Sequence, residues 1–114
     1  MHQLPDIIKA IALNNKLDES RDLANMVQES LVTALRKSNK EVRSRGVKKA
    51  PFVVLIGAAM PSVLAEISFV SNKQELLLLK TNAYKQKIAE SLFNAVMRYR
   101  KSLKGQATME SQER

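Results

Sequence analysis

The segment from Pro51 to Asn72 constrains the fold more than any other part of the chain, because Glu66 is its only charged residue while 26% of the whole chain is charged. Two stretches within it, FVVLIGA (52–58) and SVLAEISFV (62–70), are short, apolar and rich in β-branched residues. Strands that are buried on both faces have this composition. The sequence therefore predicts two neighbouring buried strands, separated by a turn or crossover at Pro61.

Helical patterns precede these strands. LPDIIKAIALNN predicts a short helix that ends at Asn14-Asn15. Residues 18–38 predict a second helix, which begins at Asp18 or Ser20 and turns an apolar stripe toward the core. The stripe consists of Leu23, Val27, Leu31, Ala34 and Leu35.

Helical patterns also follow the strands. Asn72 and Glu75 are spaced as in a capping box at the start of a helix, and Thr81 is placed to cap a longer one. Residues 105–114 are polar and without periodicity, which predicts a disordered tail. Since strands covered on both faces need helices on each side, the fold class predicted is α/β. One face of the longer helix carries Tyr84, Ile88, Leu92, Ala95 and Tyr99.

The charge of the chain points to an anionic partner. The formal net charge is +8, which suits nucleic acid, anionic lipid or the bacterial cell wall. Residues 36–49 and 98–104 hold the densest basic runs, and each is either a solvated surface or an electrostatic docking site. The three phenylalanines and two tyrosines offer no visible stacking platform for single-stranded nucleic acid.

Several classes of site and location are disfavoured. Without cysteine the chain has no disulfide, thiolate zinc cluster or thiol nucleophile. His2 is the only histidine, whereas a catalytic zinc normally takes three protein ligands, so no metal site is predicted. The N-terminus lacks the basic region of a signal peptide, and the uncharged run 51–65 is too short to span a bilayer.

Glu66 is a carboxylate in an otherwise apolar predicted strand, and this position needs a physical explanation. Strand alternation places it on one face with Leu64 and Ser68. An ionised carboxylate is costly to bury alone, which leaves three alternatives: Glu66 lies at the solvent end of the strand, pairs with a base such as Arg45 or Lys48, or faces an active-site cleft. The polar residues around the end of this strand raise the last alternative, because ligands bind there in α/β sheets, and all three alternatives stay open at this point.

MPSVLAEISFVSN (60–72) resembles the closing signature of the zinc-dependent N-acetylmuramoyl-L-alanine amidases, which are bacterial cell-wall hydrolases. Ser68 replaces the glycine that is commoner at its position in that signature. Three further segments are similar to the same family, and together the likeness covers Leu4 to Leu103. They are ESRDLANMVQESL, SRGVKKAPFVVLIGAAMP and NKQELLLLKTNAYKQKIAESLFNAVMRY.

The resemblance implies a role for two residues. Glu66 takes the place of the family's catalytic glutamate, a general base in the cleavage of the amide between N-acetylmuramic acid and the L-alanine of the stem peptide. Arg45 matches an Arg-Gly pair and is a weaker candidate for contacting substrate. The family binds zinc through a histidine, a glutamate and a second histidine in the amino-terminal half of the domain, and neither His2, Glu19 nor Glu29 lies in such a context.

The resemblance thus implies that residues 1–104 are the C-terminal part of an amidase catalytic domain, within a helix-sandwiched mixed sheet. Zinc is expected in the complete domain and not in this chain, which we expect to be inactive alone. Peptidoglycan is the expected partner, in the periplasm or cell envelope; nucleic acid is not, and no activator is identified. The alternative is a degenerate, non-catalytic basic protein that binds cell wall or nucleic acid. A chain of this kind should also be marginally stable and prone to associate, because its strands lack sheet neighbours.

Overall fold

The computed structural model describes residues 4–69 and 71–113. Four helices lie in these ranges: α1 (Leu4–Leu35), α2 (Val53–Ile56), α3 (Lys73–Leu79) and α4 (Asn82–Glu113). The main contact is between α1 and α4, which run antiparallel. Glu29 of α1 pairs with Arg98 of α4.

The core lies along the contact between the two long helices. The spacing of its residues puts one stripe of each helix against the other; the sequence predicts the two stripes but not that they pack together. Its buried apolar members are Val27, Leu31, Leu35, Tyr84 and Ala95, with Leu23, Ile88 and Leu92 packed at the margin.

The predicted α/β fold is wrong for the described residues, which contain no strand. Residues 53–56 form the single turn α2, and residues 58–69 are irregular. The physical reason is that a strand is stabilised by the backbone hydrogen bonds of its neighbours. A chain with only these two candidate stretches leaves both without the further strands that a covered sheet needs.

The boundary predicted between the first two helices is also wrong. α1 continues through Asn14 and Asn15, because asparagine is only mildly unfavourable in a helix interior and does not break it. Asp18 and Ser20 therefore lie inside α1 and cap nothing. The hydroxyl of Ser20 instead accepts a hydrogen bond from the backbone N–H of Ser62 at 3.0 Å.

The starts of α3 and α4 agree with the sequence. The side chain of Asn72 accepts hydrogen bonds from the backbone N–H groups of Gln74 and Glu75, which confirms it as a helix cap. Thr81 accepts one from the N–H of Tyr84 at 3.2 Å. α4 runs on through Gly105 to Glu113, where the sequence predicts a disordered tail.

The molecule is elongated. Its radius of gyration is 17.6 Å, whereas a compact chain of about 100 residues has about 13 Å. The packed core accordingly occupies only part of the structure, and the first three turns of α1 are exposed. No helix among the described residues has the length and hydropathy needed to cross a membrane.

Candidate active site

Glu66 lies on the surface, in the irregular segment that follows α2. Its side chain is exposed and makes no hydrogen bond or ion pair within residues 4–69 and 71–113. Neither Arg45 nor Lys48 pairs with it. The structure shows the carboxylate exposed to solvent and without the ion pair that is one of the three alternatives, so it needs no compensating partner. A role in an active site stays a prediction.

The residues around Glu66 alternate between core and solvent. Ala65 and Ile67 pack against the hydrophobic core, while Leu64 is 46% exposed. From Leu64 to Ile67 this is the alternation that the sequence predicts for a strand. It ends there, because Ser68 has a positive φ and Phe69, which is predicted on the face of Ala65, is 50% exposed. Because Ala65 and Ile67 are anchored against the core on either side of Glu66, the side chain of Glu66 points outward.

Hydrogen bonds to α1 hold the start of this segment. Besides its N–H bond to Ser20, Ser62 donates its hydroxyl to the carbonyl of Leu55 at 3.3 Å. The amino group of Lys16 donates to the same carbonyl at 2.9 Å. The chain before Glu66 is thus tied to the middle of α1 through side chains.

A second group of contacts holds the end of the segment. Ser68 has a positive φ of 64°, a region in which glycine is favoured. The N–H of Phe69 donates to Oε2 of Glu75 at 2.8 Å. Burial raises the pKa of Tyr84; its hydrogen bond with the Ser68 side chain lowers that pKa, and the negative charge of Glu75 raises it. These residues bind the chain after Glu66 to α3 and α4.

Arg45 stacks on the same segment. Its guanidinium lies 4.4 Å from the ring centroid of Phe69, a cation–π contact. Gly46 beside it has a φ of +81° and donates its N–H to the hydroxyl of Ser44 at 3.2 Å. The structure brings Arg45 to the segment of Glu66 but gives it a packing contact, and a role in substrate binding stays a prediction.

Sequence reasoning missed Ser20 and Tyr84 as residues that hold the candidate site. Tyr84 belongs to the apolar stripe of α4, and this pattern indicates core packing without revealing that its hydroxyl meets Ser68. Nothing in the sequence connects Ser20 with Ser62, because they are far apart along the chain. Glu75 was identified only as part of a cap.

The residues that the structure describes do not fit a zinc site. They contain no group of three His, Cys, Asp or Glu side chains that could hold a metal ion. Glu19 and Glu29 are exposed, and Glu29 instead pairs with Arg98 at 3.3 Å. His2 lies outside the described residues.

The basic side chains of the loop after α1 are exposed to solvent. Arg36 is the only one there with a described hydrogen bond, from its Nε to the carbonyl of Val42 at 3.1 Å. Within the part of the chain that the structure describes, Phe69 under Arg45 is the one aromatic ring that stacks on any of them. Whether this surface docks an anionic partner stays a prediction. The exposed bases are Arg36, Lys37, Lys40, Arg43, Arg45, Lys48 and Lys49.

Comparison with protein families gives one match over most of the chain. A family model described as N-acetylmuramoyl-L-alanine amidase matches residues 8–98. This range includes Arg45, Glu66 and all the contacts described around them. No solved structure matches the chain.

Several curated proteins are similar over the same region. The uncharacterized protein YqiI of Bacillus subtilis is 38% identical over 72% of this chain and 37% of its own length. An uncharacterized cell wall amidase of Bacillus anthracis is 37% identical over 75% of the chain and 15% of its own length. The N-acetylmuramoyl-L-alanine amidase AmiA of Salmonella typhimurium is 32% identical over 86% of the chain and 32% of its own length. The chain therefore spans between 15% and 37% of the length of these relatives.

Proposed function

Because the chain belongs to the N-acetylmuramoyl-L-alanine amidase family, we propose that it serves the hydrolysis of peptidoglycan, with Glu66 as its catalytic residue. The bond cleaved is the amide between N-acetylmuramic acid and the L-alanine of the stem peptide. The observation that carries this proposal is the exposed carboxylate of Glu66, anchored on both sides and bonded to nothing in residues 4–69 and 71–113.

Glu66 is suited to proton transfer in amide hydrolysis. The attacking water must lose a proton, and the leaving alanine nitrogen must gain one. A carboxylate accepts the first proton and returns it to the nitrogen, provided that it reaches both atoms. The outward orientation of Glu66, set by the half-buried Ala65 and Ile67, leaves it accessible to such a substrate.

The chain alone should not complete the reaction. The described residues do not fit a metal site, so the zinc expected of the complete domain has no described ligands here. In the curated relatives the matched region is 37% or less of the length, so most of their polypeptide lies outside it. We infer that the catalytic groups beyond Glu66 come from polypeptide of that kind.

The remaining expectations about partners and location follow from the family. We propose peptidoglycan as the substrate and the periplasm or cell envelope as the place of action. The exposed bases of residues 36–49 are compatible with an anionic wall surface. No feature of the described residues favours nucleic acid over the cell wall.

A chimera tests the proposal. The part of Salmonella AmiA that this chain matches is exchanged for the chain, and the parent AmiA is assayed in parallel on purified peptidoglycan. Mass spectrometry identifies stem peptides released with a free L-alanine amino group. We expect activity in the chimera, no activity in the chain alone, and a loss of about a hundredfold to ten-thousandfold on Glu66→Gln.

A matched control separates chemistry from charge. Glu41→Gln removes another exposed carboxylate. Glu41 makes its hydrogen bond through the backbone N–H and not through the side chain, so this substitution should leave the activity of the chimera unchanged. Full activity of the Glu66→Gln chimera would refute the catalytic role. Hydrolysis by the chain alone would refute the proposed dependence on further polypeptide.

A further inference from the structure

Exposed apolar side chains surround α2. Val53 and Val54 lie within this single turn and are 85% and 69% exposed, and Ile56 at its end is 66% exposed. Phe52 before the turn and Met60 after it are exposed as well. A dense group of exposed apolar side chains is typical of an interaction site. We define the apolar docking surface as these five residues.

The chain that leads into this surface is basic. Residues 42–65 contain no acid and four bases, which are Arg43, Arg45, Lys48 and Lys49. All four bases are exposed, and none of them forms an ion pair with a described residue. Lys49 is three residues before Phe52, so their Cα atoms are no more than about 11 Å apart even in a fully extended chain. Positive charge therefore borders the apolar docking surface.

Both parts of this surface are attached to α1 by side chains. The amino group of Lys16 donates a hydrogen bond to the carbonyl of Leu55 in α2 at 2.9 Å, which brings a further positive charge to the turn. The side-chain amide of Gln28 donates to the hydroxyl of Ser44 in the basic stretch at 2.6 Å. The two attachment points on α1 are about 18 Å apart along the helix axis. The apolar side chains and the bases are therefore held next to the same helix.

The charge around this surface indicates what covers it. A second copy of the chain is a poor occupant, since two chains of net charge +8 repel each other. A hydrophilic polyanion such as nucleic acid pairs with the bases but leaves the apolar side chains in water. A bilayer with anionic headgroups accommodates both, because apolar side chains enter the boundary between headgroups and acyl chains while the bases stay at the charged surface.

We propose that residues 43–60 dock the chain on an anionic lipid bilayer. The apolar docking surface enters the interface, and the four bases contact the headgroups. Both parts are needed, since a short apolar insertion and a few surface charges each bind a membrane only weakly. The inference goes beyond the proposed function, because it concerns the surface on which the chain is held and not the bond that is cut.

Vesicle binding tests the proposal with the full chain. The protein is sedimented with increasing amounts of vesicles that contain phosphatidylglycerol and phosphatidylcholine in equal parts, or phosphatidylcholine alone. We expect binding to the anionic vesicles to be tighter by about tenfold or more and to weaken at high salt. The double variant Lys48→Gln, Lys49→Gln should weaken it by roughly tenfold or more. The matched control Lys80→Gln, Lys85→Gln removes the same charge between α3 and α4 and should change binding by less than about threefold.

A tryptophan reporter tests whether the apolar side chains enter the bilayer. The chain contains no tryptophan, so Val53→Trp supplies a single indole whose emission shifts to the blue when water is excluded. Leu77→Trp is the matched control, because Leu77 is 65% exposed but lies on α3. On the anionic vesicles we expect a blue shift of Val53→Trp and none of Leu77→Trp. Val53→Asp should weaken binding by roughly tenfold or more, with circular dichroism as the check that its helices are intact.

Four results would overturn the proposal. The chain could fail to bind the anionic vesicles, or it could bind them without a blue shift at position 53, which would make the contact electrostatic alone. Equal or tighter binding to duplex DNA at the same salt concentration would make the basic stretch a nucleic-acid site. A doubled mass in light scattering that Val53→Asp reverses would make a second copy the occupant. Failure of the proposed function leaves these measurements unaffected, because vesicle binding involves no peptidoglycan.

Discussion

The backbone N–H of Phe69 donates a hydrogen bond to Oε2 of Glu75 at 2.8 Å, and this bond fastens the end of the Glu66 segment to the first turn of α3. The two carboxylates near this turn thus differ in their surroundings. Glu75 is half-buried and bonded, whereas Glu66 is exposed and bonded to no described residue. The stability of the fold should therefore depend on Glu75, and the proposed catalysis on Glu66.

Replacing Glu75 should destabilise the chain, while replacing Glu66 should not. Glu75→Ala removes a charge-assisted hydrogen bond and a favourable charge at the start of α3, at about 1–2 kcal/mol in the free energy of unfolding. Glu66→Ala should change that free energy by less than about 0.5 kcal/mol. Urea unfolding followed by circular dichroism measures both, and equal losses would contradict the assignment.

Enlarging Ala95 should disrupt the contact between α1 and α4. Its side chain is 0% exposed, so Ala95→Leu overpacks the core and should lower the unfolding free energy by about 1–3 kcal/mol. Ala89→Leu, on the exposed side of α4, is the control and should stay within about 0.5 kcal/mol. Thermal and urea unfolding of both variants would show whether the helices pack as described.

The stability of the chain should fall in alkaline solution because of Tyr84. Burial raises its pKa above the ordinary value of 10.0, so the unfolded chain loses this proton at a lower pH than the folded chain. The contribution of Tyr84 to the free energy of unfolding is fully present below pH 10 and is lost as the pH rises through the pKa of the folded chain. Unfolding experiments across this range should show a smaller alkaline loss in Tyr84→Phe than in the parent; an unchanged loss would exclude Tyr84 as the cause.

The chain should be more stable with glycine than with alanine at position 68. Its φ of 64° is unfavourable for any residue with a Cβ, by about 1–2 kcal/mol, and glycine relieves that cost. Both substitutions lose the hydroxyl that meets Tyr84, so comparing their unfolding free energies isolates the backbone. Identical values for Ser68→Gly and Ser68→Ala would mean that this turn is not left-handed in solution.

Gly105 distinguishes a helical end of α4 from a disordered tail. If residues 105–113 are helical as described, Gly105→Ala should increase helical circular dichroism and stabilise the helix by about 0.5–1 kcal/mol. A disordered tail would show no change in helicity. Backbone amide chemical shifts of these residues test independently whether they are helical.

The helices could be predicted from sequence because their signals are local. The stripe ending in Leu35 and the one beginning at Tyr84 have helical spacing, and the cap at Asn72 needs only its own neighbours. The break expected at Asn14-Asn15 failed since two asparagines weaken a helix without ending it.

The strands could not be predicted correctly because a strand is not a local structure. FVVLIGA and SVLAEISFV have strand composition, but a sheet also needs neighbours that supply backbone partners, and composition does not report whether they are present. What survives of the prediction is the alternation of side chains, with Ala65 and Ile67 inward and Glu66 outward. The candidate site was therefore located by motif, while its supports at Ser20 and Tyr84 appeared only in three dimensions.

The packing of α1 against α4 also determines how such a chain can change over generations. Its core is built by the helices, and the Glu66 segment contributes little more than Ala65 and Ile67 to it. Folding therefore places no constraint on Glu66. In a lineage that no longer uses the activity, substitutions would accumulate at Glu66 while the helical core persisted, so retention of this carboxylate among close variants would be a sign of selection for chemistry alone.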